Sequence, residues 1–149
     1  ALDTGKMQTA GRLKIGYYDH KLFICLPSGR KLAYIEPEKR QNSFNRMELT
    51  YMGVGKTRKW ERIMTYGTKL VENCIQAIAR DILAEAMLRV DATGFDIVAH
   101  VHDEMIVEVP NGKSSVKELC DMMAESPDWV DDKLPLRADG YECEWYRKD

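Results

Sequence analysis

The sequence has few cysteines and no long hydrophobic run, and each absence excludes a class of protein. No apolar stretch approaches the roughly 20 residues that a bilayer-spanning helix needs, so we expect no membrane partner. Residues 1–6 have no signal-peptide pattern. The four cysteines lack the Cys-x-x-Cys spacing of zinc sites: Cys25, Cys74, Cys120 and Cys143. We therefore predict free thiols and a cytoplasmic protein, because the cytoplasm keeps thiols reduced.

Repeats and low-complexity tracts are also absent, and the charge of the 149 residues is unevenly distributed. The first 69 residues hold 14 Lys and Arg against 6 Asp and Glu, whereas the remainder holds 8 against 18. This asymmetry predicts a basic surface for a polyanion and an acidic region that concentrates cations. The densest basic cluster surrounds Trp60 and consists of Lys56, Arg58, Lys59 and Arg62. Such a cluster suits phosphate contact and base stacking, but a solvated helix start with Trp60 in the core explains it equally well.

The most informative stretch is residues 97–109, in which two β-branched apolar runs flank His102, Asp103 and Glu104. Two runs around a short gap predict an antiparallel hairpin. The gap lacks the Gly, Asn or Pro that tight turns favour. Adjacent carboxylates repel each other unless a cation compensates them, so the tip is suited to holding a hard divalent cation. A solvated tip with incidental charges is the alternative interpretation.

The rest of the pattern predicts an α+β chain. The segments before the long helix read as a hairpin around a Pro-Ser-Gly turn, a polar loop and a short strand: residues 22–26 with 31–35, 36–45 and 47–52. Residues 59–90 read as helical, with a break near Gly67 and a buried aliphatic stripe of Val71, Ile75, Ile78 and Ile82. A capping box at Ser115 and Glu118 begins a second helix, and residues 134–145 alternate well enough for a last strand.

The long helix also has a polar face opposite the aliphatic stripe. At 100° per residue, its members fall within an arc of roughly 100°: Lys69, Glu72, Asn73, Gln76 and Arg80. Most polar helix faces only meet water, so solvent exposure is the simpler interpretation. An amide on such a face can also donate to the minor-groove acceptors, which are nearly the same for A·T and T·A.

Three segments resemble family A DNA polymerases, the relatives of bacterial DNA polymerase I, especially phage and prophage members. Val-His-Asp-Glu between two hydrophobic strands resembles the third conserved motif of the family. Residues 66–81 resemble the long palm helix before that motif, and Leu26-Pro27-Ser28-Gly29-Arg30-Lys31 resembles the Gly-Arg segment after the fingers motif. The matches occur in the family's order and, with the C-terminal strand, cover nearly the whole chain.

The resemblance implies roles for individual residues. Asp103 matches the aspartate that binds a catalytic Mg²⁺, Glu104 the adjacent glutamate that tunes the site, and His102 the histidine near the primer terminus. Gln76 matches the glutamine that contacts the minor groove, and Asn73, Arg80 and Arg30 are the further DNA-binding candidates. The implied partners are primer-template DNA, deoxynucleoside triphosphates and the remainder of the polymerase chain, in the cytoplasm of a bacterial or phage-infected cell.

Two elements of the family are missing from the sequence: the second metal-binding aspartate on its palm strand and the fingers helix that clamps the nucleotide. We therefore expect a C-terminal palm segment that is inactive alone. Residues 1–57 are predicted to adjoin the fingers as a β-hairpin region, and residues 58–149 to be the C-terminal portion of the palm. There, a palm-like antiparallel sheet includes the 97–109 hairpin and the last strand, with the 69–90 helix packed across it.

Two other functions stay open on the residues alone. His100-Val101-His102 resembles the His-x-His pair of zinc hydrolases, so a metal-dependent hydrolase or nuclease using His100, His102 and Asp103 is one alternative. No further histidine follows, and a packed or hydrogen-bonded strand residue is the better interpretation of His100. A non-catalytic nucleic-acid-binding module that uses only the basic N-terminal half is the other alternative.

Overall fold

The computed structural model describes residues 1–41, 43–131 and 133–146. The chain folds into two compact units, Ala1–Ile78 and Ala79–Asp149. The division falls within the long helix, which begins in the first unit and ends in the second. The assignment of residues 1–57 and 58–149 to regions beside the fingers and in the palm stays a prediction.

The first unit is built on a six-stranded antiparallel sheet in which each strand pairs with the next along the chain. Its strands are β1 (Gln8–Ala10), β2 (Leu13–Tyr18), β3 (Lys21–Cys25), β4 (Lys31–Gln41), β5 (Met47–Val54) and β6 (Trp60–Thr65). The first part of the helix α1 (Gly67–Ala92) completes this unit. The predicted α+β class, with an N-terminal hairpin region and a long helix on an antiparallel sheet, is confirmed.

The β3–β4 hairpin forms where the turn chemistry predicts it. Gly29 adopts φ +88°, a left-handed conformation that glycine reaches without steric cost, and its N–H donates to the Leu26 carbonyl at 3.0 Å. Along β3, Leu22 and Ile24 point to the same face, since successive side chains alternate. Both are buried, and with Tyr34 on β4 they form the core of the unit.

Helix α1 packs on this core through a stripe that includes Ile78, as predicted, but otherwise differs from the predicted one. Cys74 is buried, and Leu70 and Ala77 pack beside it, whereas Val71 and Ile75 are 54% and 62% exposed. The predicted burial of Val71 and Ile75 is therefore wrong. A shift of one residue rotates a helix by about 100°, which exchanges one face for its neighbour. Burial also raises the pKa of the Cys74 thiol, because the thiolate loses its hydration there.

Two of the predicted elements before α1 are corrected. The segment expected to be a polar loop instead continues β4 to Gln41, through a β-bulge between Ile35 and Glu38. The segment from Lys59 expected to be helical is instead β6, so the helix begins only at Gly67. Arg62 of β6 contacts this bulge: its guanidinium donates to the Glu36 carbonyl at 2.9 Å and lies within 4 Å of the Glu36 and Glu38 carboxylates. These contacts link β6 to the polar bulge of β4, which lies two strands away in the sheet.

The second unit contains the end of α1, a two-stranded antiparallel sheet and a short helix. The two strands are β7 (Asp96–Val101) and β8 (Glu104–Glu108), and the helix is α2 (Val116–Ala124). The predicted helix start at Ser115 is confirmed, because its hydroxyl accepts from the Glu118 N–H at 3.2 Å, while the Glu118 carboxylate accepts from the Ser114 hydroxyl at 2.8 Å instead of closing a reciprocal capping box. Gly94, at φ +85°, follows the end of α1 as predicted.

The predicted strand over residues 134–145 is wrong, since no strand forms in this segment and β7 and β8 pair only with each other within the described part of the chain. The segment instead comes close to α2. A Cβ added at Gly140 would lie 3.2 Å from Val116 Cγ1 and 3.4 Å from Cys120 Sγ. Helix packing therefore replaces the sheet pairing that the alternating pattern suggested.

All four cysteines are free thiols, as predicted. Among the helices of the described residues, none has the length and apolar character required to cross a bilayer.

Candidate functional site

The β7–β8 hairpin closes in a two-residue turn at the predicted polar tip. Val101 pairs with Glu104, which leaves His102 and Asp103 as the two turn residues. His102 adopts φ +52°, in the left-handed region that two-residue hairpins usually fill with Gly, Asn or Asp. Backbone strain of this kind costs about 1–3 kcal/mol and concentrates at functional sites. The turn thus projects Asp103 from a short, sharply bent connection.

The two adjacent carboxylates of the tip are both exposed, and in the described part of the chain no Lys or Arg forms an ion pair with either. The Asp103 carboxylate accepts no hydrogen bond from a described residue, and Glu104 Oε2 lies 3.5 Å from the Tyr146 hydroxyl, which donates to it. Oxygen ligands from one or two carboxylates are what Mg²⁺ usually takes from a protein. The donor set therefore fits the implied metal.

Three or more His, Cys, Asp or Glu side chains converge on no metal-sized site among residues 1–41, 43–131 and 133–146. Among the described residues, the tip supplies two carboxylates and no third side-chain ligand for a metal ion. Mg²⁺ can draw its other ligands from substrate phosphates and water, so one or two carboxylates suffice as its protein ligands.

Arg80 of α1 lies against His100 of β7. Its Nη1 is 3.4 Å from His100 Nδ1, and its Nη2 is 3.2 Å from His100 Nε2. A neutral imidazole has one acceptor nitrogen, so which of the two contacts is a hydrogen bond from the guanidinium depends on the tautomer of His100. Of the two interpretations of His100, packed or hydrogen-bonded, this contact supports the hydrogen-bonded one, since the residue is exposed on β7.

Gln76 and Asn73, the other predicted DNA contacts on α1, differ in their surroundings. Gln76 is exposed, and its Nε2 donates to Glu72 Oε1 at 3.2 Å, while Glu72 Oε2 accepts from Lys69 Nζ at 2.9 Å. That hydrogen bond from Lys69 to Glu72 is the main cause of the raised pKa of Lys69. Asn73 is partly buried and its Nδ2 donates to the Tyr34 hydroxyl at 3.2 Å. The amide of Gln76 is thus exposed to solvent, whereas the amide of Asn73 is hydrogen-bonded to the core residue Tyr34.

Arg30 and the basic cluster complete the predicted nucleic-acid residues. Arg30 Nη2 donates to the Ala77 carbonyl of α1 at 2.8 Å, and the residue remains exposed. Of the cluster around Trp60, Arg62 serves the bulge of β4. The other three cations, Lys56, Arg58 and Lys59, lie in the exposed β5–β6 turn.

Sequence reasoning missed two contacts of the site. Tyr146 reaches Glu104 across 42 positions, and Arg80 reaches His100 across 20. Neither pair has a local sequence signal, because the contact exists only once the chain has folded.

Replacing His102 by Gly tests the strain in the turn. Glycine adopts φ +52° freely, so we expect the change to stabilise the protein by about 1 kcal/mol. Urea unfolding followed by circular dichroism measures it. The matched control is His100→Gly within β7, which is expected to destabilise the protein because a strand glycine gains entropy on unfolding and the Arg80 contact is lost. Destabilisation by His102→Gly would contradict the assignment of strain.

Comparison with known proteins shows similarity to a phage DNA polymerase. Over 129 residues, 86% of its length, the chain is 46% identical to a protein of Bacillus phage SP02 named DNA polymerase. The chain spans 20% of that protein's length. No protein-family model and no solved structure matches the chain. Most of the chain is thus similar to one part of a phage DNA polymerase.

Proposed function

From this similarity we propose that the chain is the C-terminal palm segment of a template-directed DNA polymerase of family A, and that it contributes one half of a two-metal nucleotidyl-transfer site. The observation that carries the proposal is the exposed Asp103-Glu104 pair on a strained hairpin turn, in a chain 46% identical to a phage DNA polymerase. Neither carboxylate has a cationic partner among the described residues, so both are available to a metal ion.

Each residue of the tip has a defined task in this proposal. Asp103 would hold Mg²⁺ through its carboxylate, and Glu104, restrained by the Tyr146 hydroxyl, would hold a water or tune the charge of the site. His102 lies beside Asp103 in the turn and would approach the primer terminus. When bound, a pair of Mg²⁺ ions would activate the primer 3′-hydroxyl and stabilise the departing pyrophosphate. The second metal-binding aspartate would come from the remainder of the polymerase.

The DNA contacts of the proposal fall on α1. Gln76 presents an exposed amide donor, which can sense the minor-groove acceptors common to both orientations of an A·T pair. Arg80 is exposed beside His100 and would contact the phosphate backbone. Arg30 is exposed and would add a further phosphate contact, while Asn73 would support the helix from within.

A segment exchange tests the proposal. The 129 matching residues of the phage SP02 polymerase would be replaced by those of this chain, and primer extension measured with Mg²⁺ and all four deoxynucleoside triphosphates. We expect the chimera to synthesise DNA and the isolated 149-residue chain to synthesise none, because the other aspartate and the fingers helix are missing from it. A chimera that folds and binds primer-template but extends no primer would contradict the function, and extension by the isolated chain would contradict the incompleteness.

The hydrolase alternative is disfavoured by the surroundings of His100. A zinc ligand needs a free ring nitrogen, and the Arg80 guanidinium approaches both nitrogens of this ring at 3.2–3.4 Å. A positive charge in that position also opposes the approach of a divalent cation.

A further inference from the structure

The turn between β5 and β6 carries three cationic side chains that make no stabilising polar contact with the described residues. Its backbone is closed by the Gly55 N–H donating to the Lys59 carbonyl at 2.9 Å and by the Arg58 N–H donating to the Gly55 carbonyl at 3.0 Å. The side chains of Lys56, Arg58 and Lys59 are exposed, and no described residue forms an ion pair or hydrogen bond with them. The turn therefore concentrates three positive charges that form no ion pair with a described residue, although the Glu61 carboxylate lies against Gly55 of the same turn.

Trp60 follows these cations directly and is exposed, which removes the interpretation that it reaches the core. It is 60% exposed, and the residue paired with it across the hairpin, Val54, is 64% exposed. A buried tryptophan side chain contributes hydrophobic stabilisation, most of which this exposed ring forgoes. An exposed ring beside unpaired cations has the composition of a surface that stacks a base and binds its phosphates.

The other turns at the same end of the sheet are also basic. In a sheet where each strand pairs antiparallel with the next, alternate turns meet at one end, so the β1–β2, β3–β4 and β5–β6 turns lie together. Arg12 and Arg30 lie in the first two of these turns, and both are exposed. At the opposite end, Lys21 is neutralised by Asp19, whose carboxylate lies 2.5 Å away. The three cations of the β5–β6 turn thus share their end of the sheet with two further exposed arginines.

We propose that the β5–β6 turn is a binding site for single-stranded nucleic acid, in which Lys56, Arg58 and Lys59 contact consecutive phosphates and Trp60 stacks on a base. Single strands are favoured over duplex because an exposed side-chain ring can stack only on a base whose face is open. The inference rests on the proposed function for the nature of its ligand. It requires neither a metal ion nor a primer terminus, and it concerns residues outside the β7–β8 site.

The experiment is a titration of the isolated 149-residue chain with fluorescently labelled oligothymidine of about 15 nucleotides, a length near the upper site size of single-strand binding folds. Removing the three charges together, Lys56→Ala with Arg58→Ala and Lys59→Ala, is expected to weaken binding at least tenfold. It should also reduce the slope of log K against log salt by about 2, because each phosphate contact on a single strand contributes about 0.7. Trp60→Ala is expected to weaken binding about tenfold with the salt slope unchanged.

Matched controls remove the same charge or ring elsewhere. Lys113, Lys117 and Lys133 are exposed lysines of the second unit, and changing all three to Ala should alter affinity less than twofold. Trp145, which is 70% exposed, gives the control for the ring. Circular dichroism checks that each variant is folded. Equal losses in the control and turn variants, or unchanged affinity in the turn variants, would overturn the site.

Two outcomes separate the failure of this inference from the failure of the proposed function. If the chimera synthesises DNA but the turn variants bind oligothymidine as tightly as the unmodified chain, the inference is overturned and the proposed function stands. If the turn variants lose affinity but the chimera is inactive, the proposed function is overturned and the binding site stands. Binding to heparin as tight as to oligothymidine, with no effect of Trp60→Ala, would show a polyanion surface only and overturn the stacking role.

Discussion

Asp103→Asn in the chimeric polymerase is expected to reduce primer extension by at least about a thousandfold while leaving affinity for primer-template DNA unchanged. The amide keeps the shape of the side chain but loses the charge that holds the metal ion. A thousandfold loss corresponds to about 4 kcal/mol in the activation free energy. Losses of this size follow the removal of a single charge-stabilising group from other active sites. Steady-state primer extension and a fluorescence anisotropy titration with labelled primer-template measure the two quantities.

The matched control for this change is Asp96→Asn on the same hairpin. Asp96 is the first residue of β7, is exposed, and lies at the end of the strand away from the turn. We expect extension within about twofold of the unmodified chimera, since a surface carboxylate without a partner contributes little. Full activity of the Asp103→Asn chimera would remove the tip from the chemistry. Equal losses at Asp96 and Asp103 would show that the hairpin needs its charge for folding, with no special role for the turn.

Tyr34→Ala is expected to destabilise the first unit by about 3–5 kcal/mol, the range for removing a large buried aromatic side chain. Tyr34 is only 5% exposed and packs edge-to-face on Tyr51, with ring centroids 5.1 Å apart. Burial also raises the pKa of its phenol. Its hydroxyl accepts from Asn73 Nδ2, so the ring fixes α1 on the sheet. The free energy of unfolding in urea measures the loss, with the tryptophan fluorescence of the chain as the probe.

Tyr34→Phe separates the ring from the hydroxyl. This variant keeps the aromatic packing and leaves only the Asn73 amide without its acceptor, so a loss of about 1 kcal/mol is expected. Asn73→Ala should cost a similar amount and should weaken DNA binding only through the orientation of α1. A large loss of DNA affinity with unchanged stability would instead make Asn73 a direct DNA contact, and equal losses in the Ala and Phe variants would contradict the packing role of the ring.

Several features of the fold could be predicted because their signals are local. The β3–β4 hairpin follows from Pro27-Ser28-Gly29, and the start of α2 follows from Ser115 and Glu118, whose partners lie three residues apart. The β7–β8 hairpin follows from two apolar runs separated by a polar gap. In each case the interacting groups are neighbours in the chain, so the pattern and the structure report the same contacts.

Other features depend on partners far along the chain and were predicted wrongly or not at all. Residues 60–65 have a helical sequence pattern but form a strand, because their backbone pairs with β5. The hydrogen bond from Arg62 to the Glu36 carbonyl adds a contact to β4. The face of α1 that is buried was decided by the sheet beneath Cys74, which moved the buried stripe off Val71 and Ile75. A pattern that would suit two adjacent helix faces is resolved only by the surface against which the helix packs.

The order of residues was sufficient to locate the acidic tip, to identify the elements that carry it and to reveal which family its motifs resemble. Only the tertiary structure placed His102 in a left-handed conformation and brought Arg80 into contact with His100. It also paired the Asn73 amide with the Tyr34 hydroxyl, and it left Trp60 exposed beside three cations without ion pairs. The difference is one of range. Turn chemistry and periodicity act between neighbours, whereas exposure and side-chain pairing are properties of surfaces that distant segments form together.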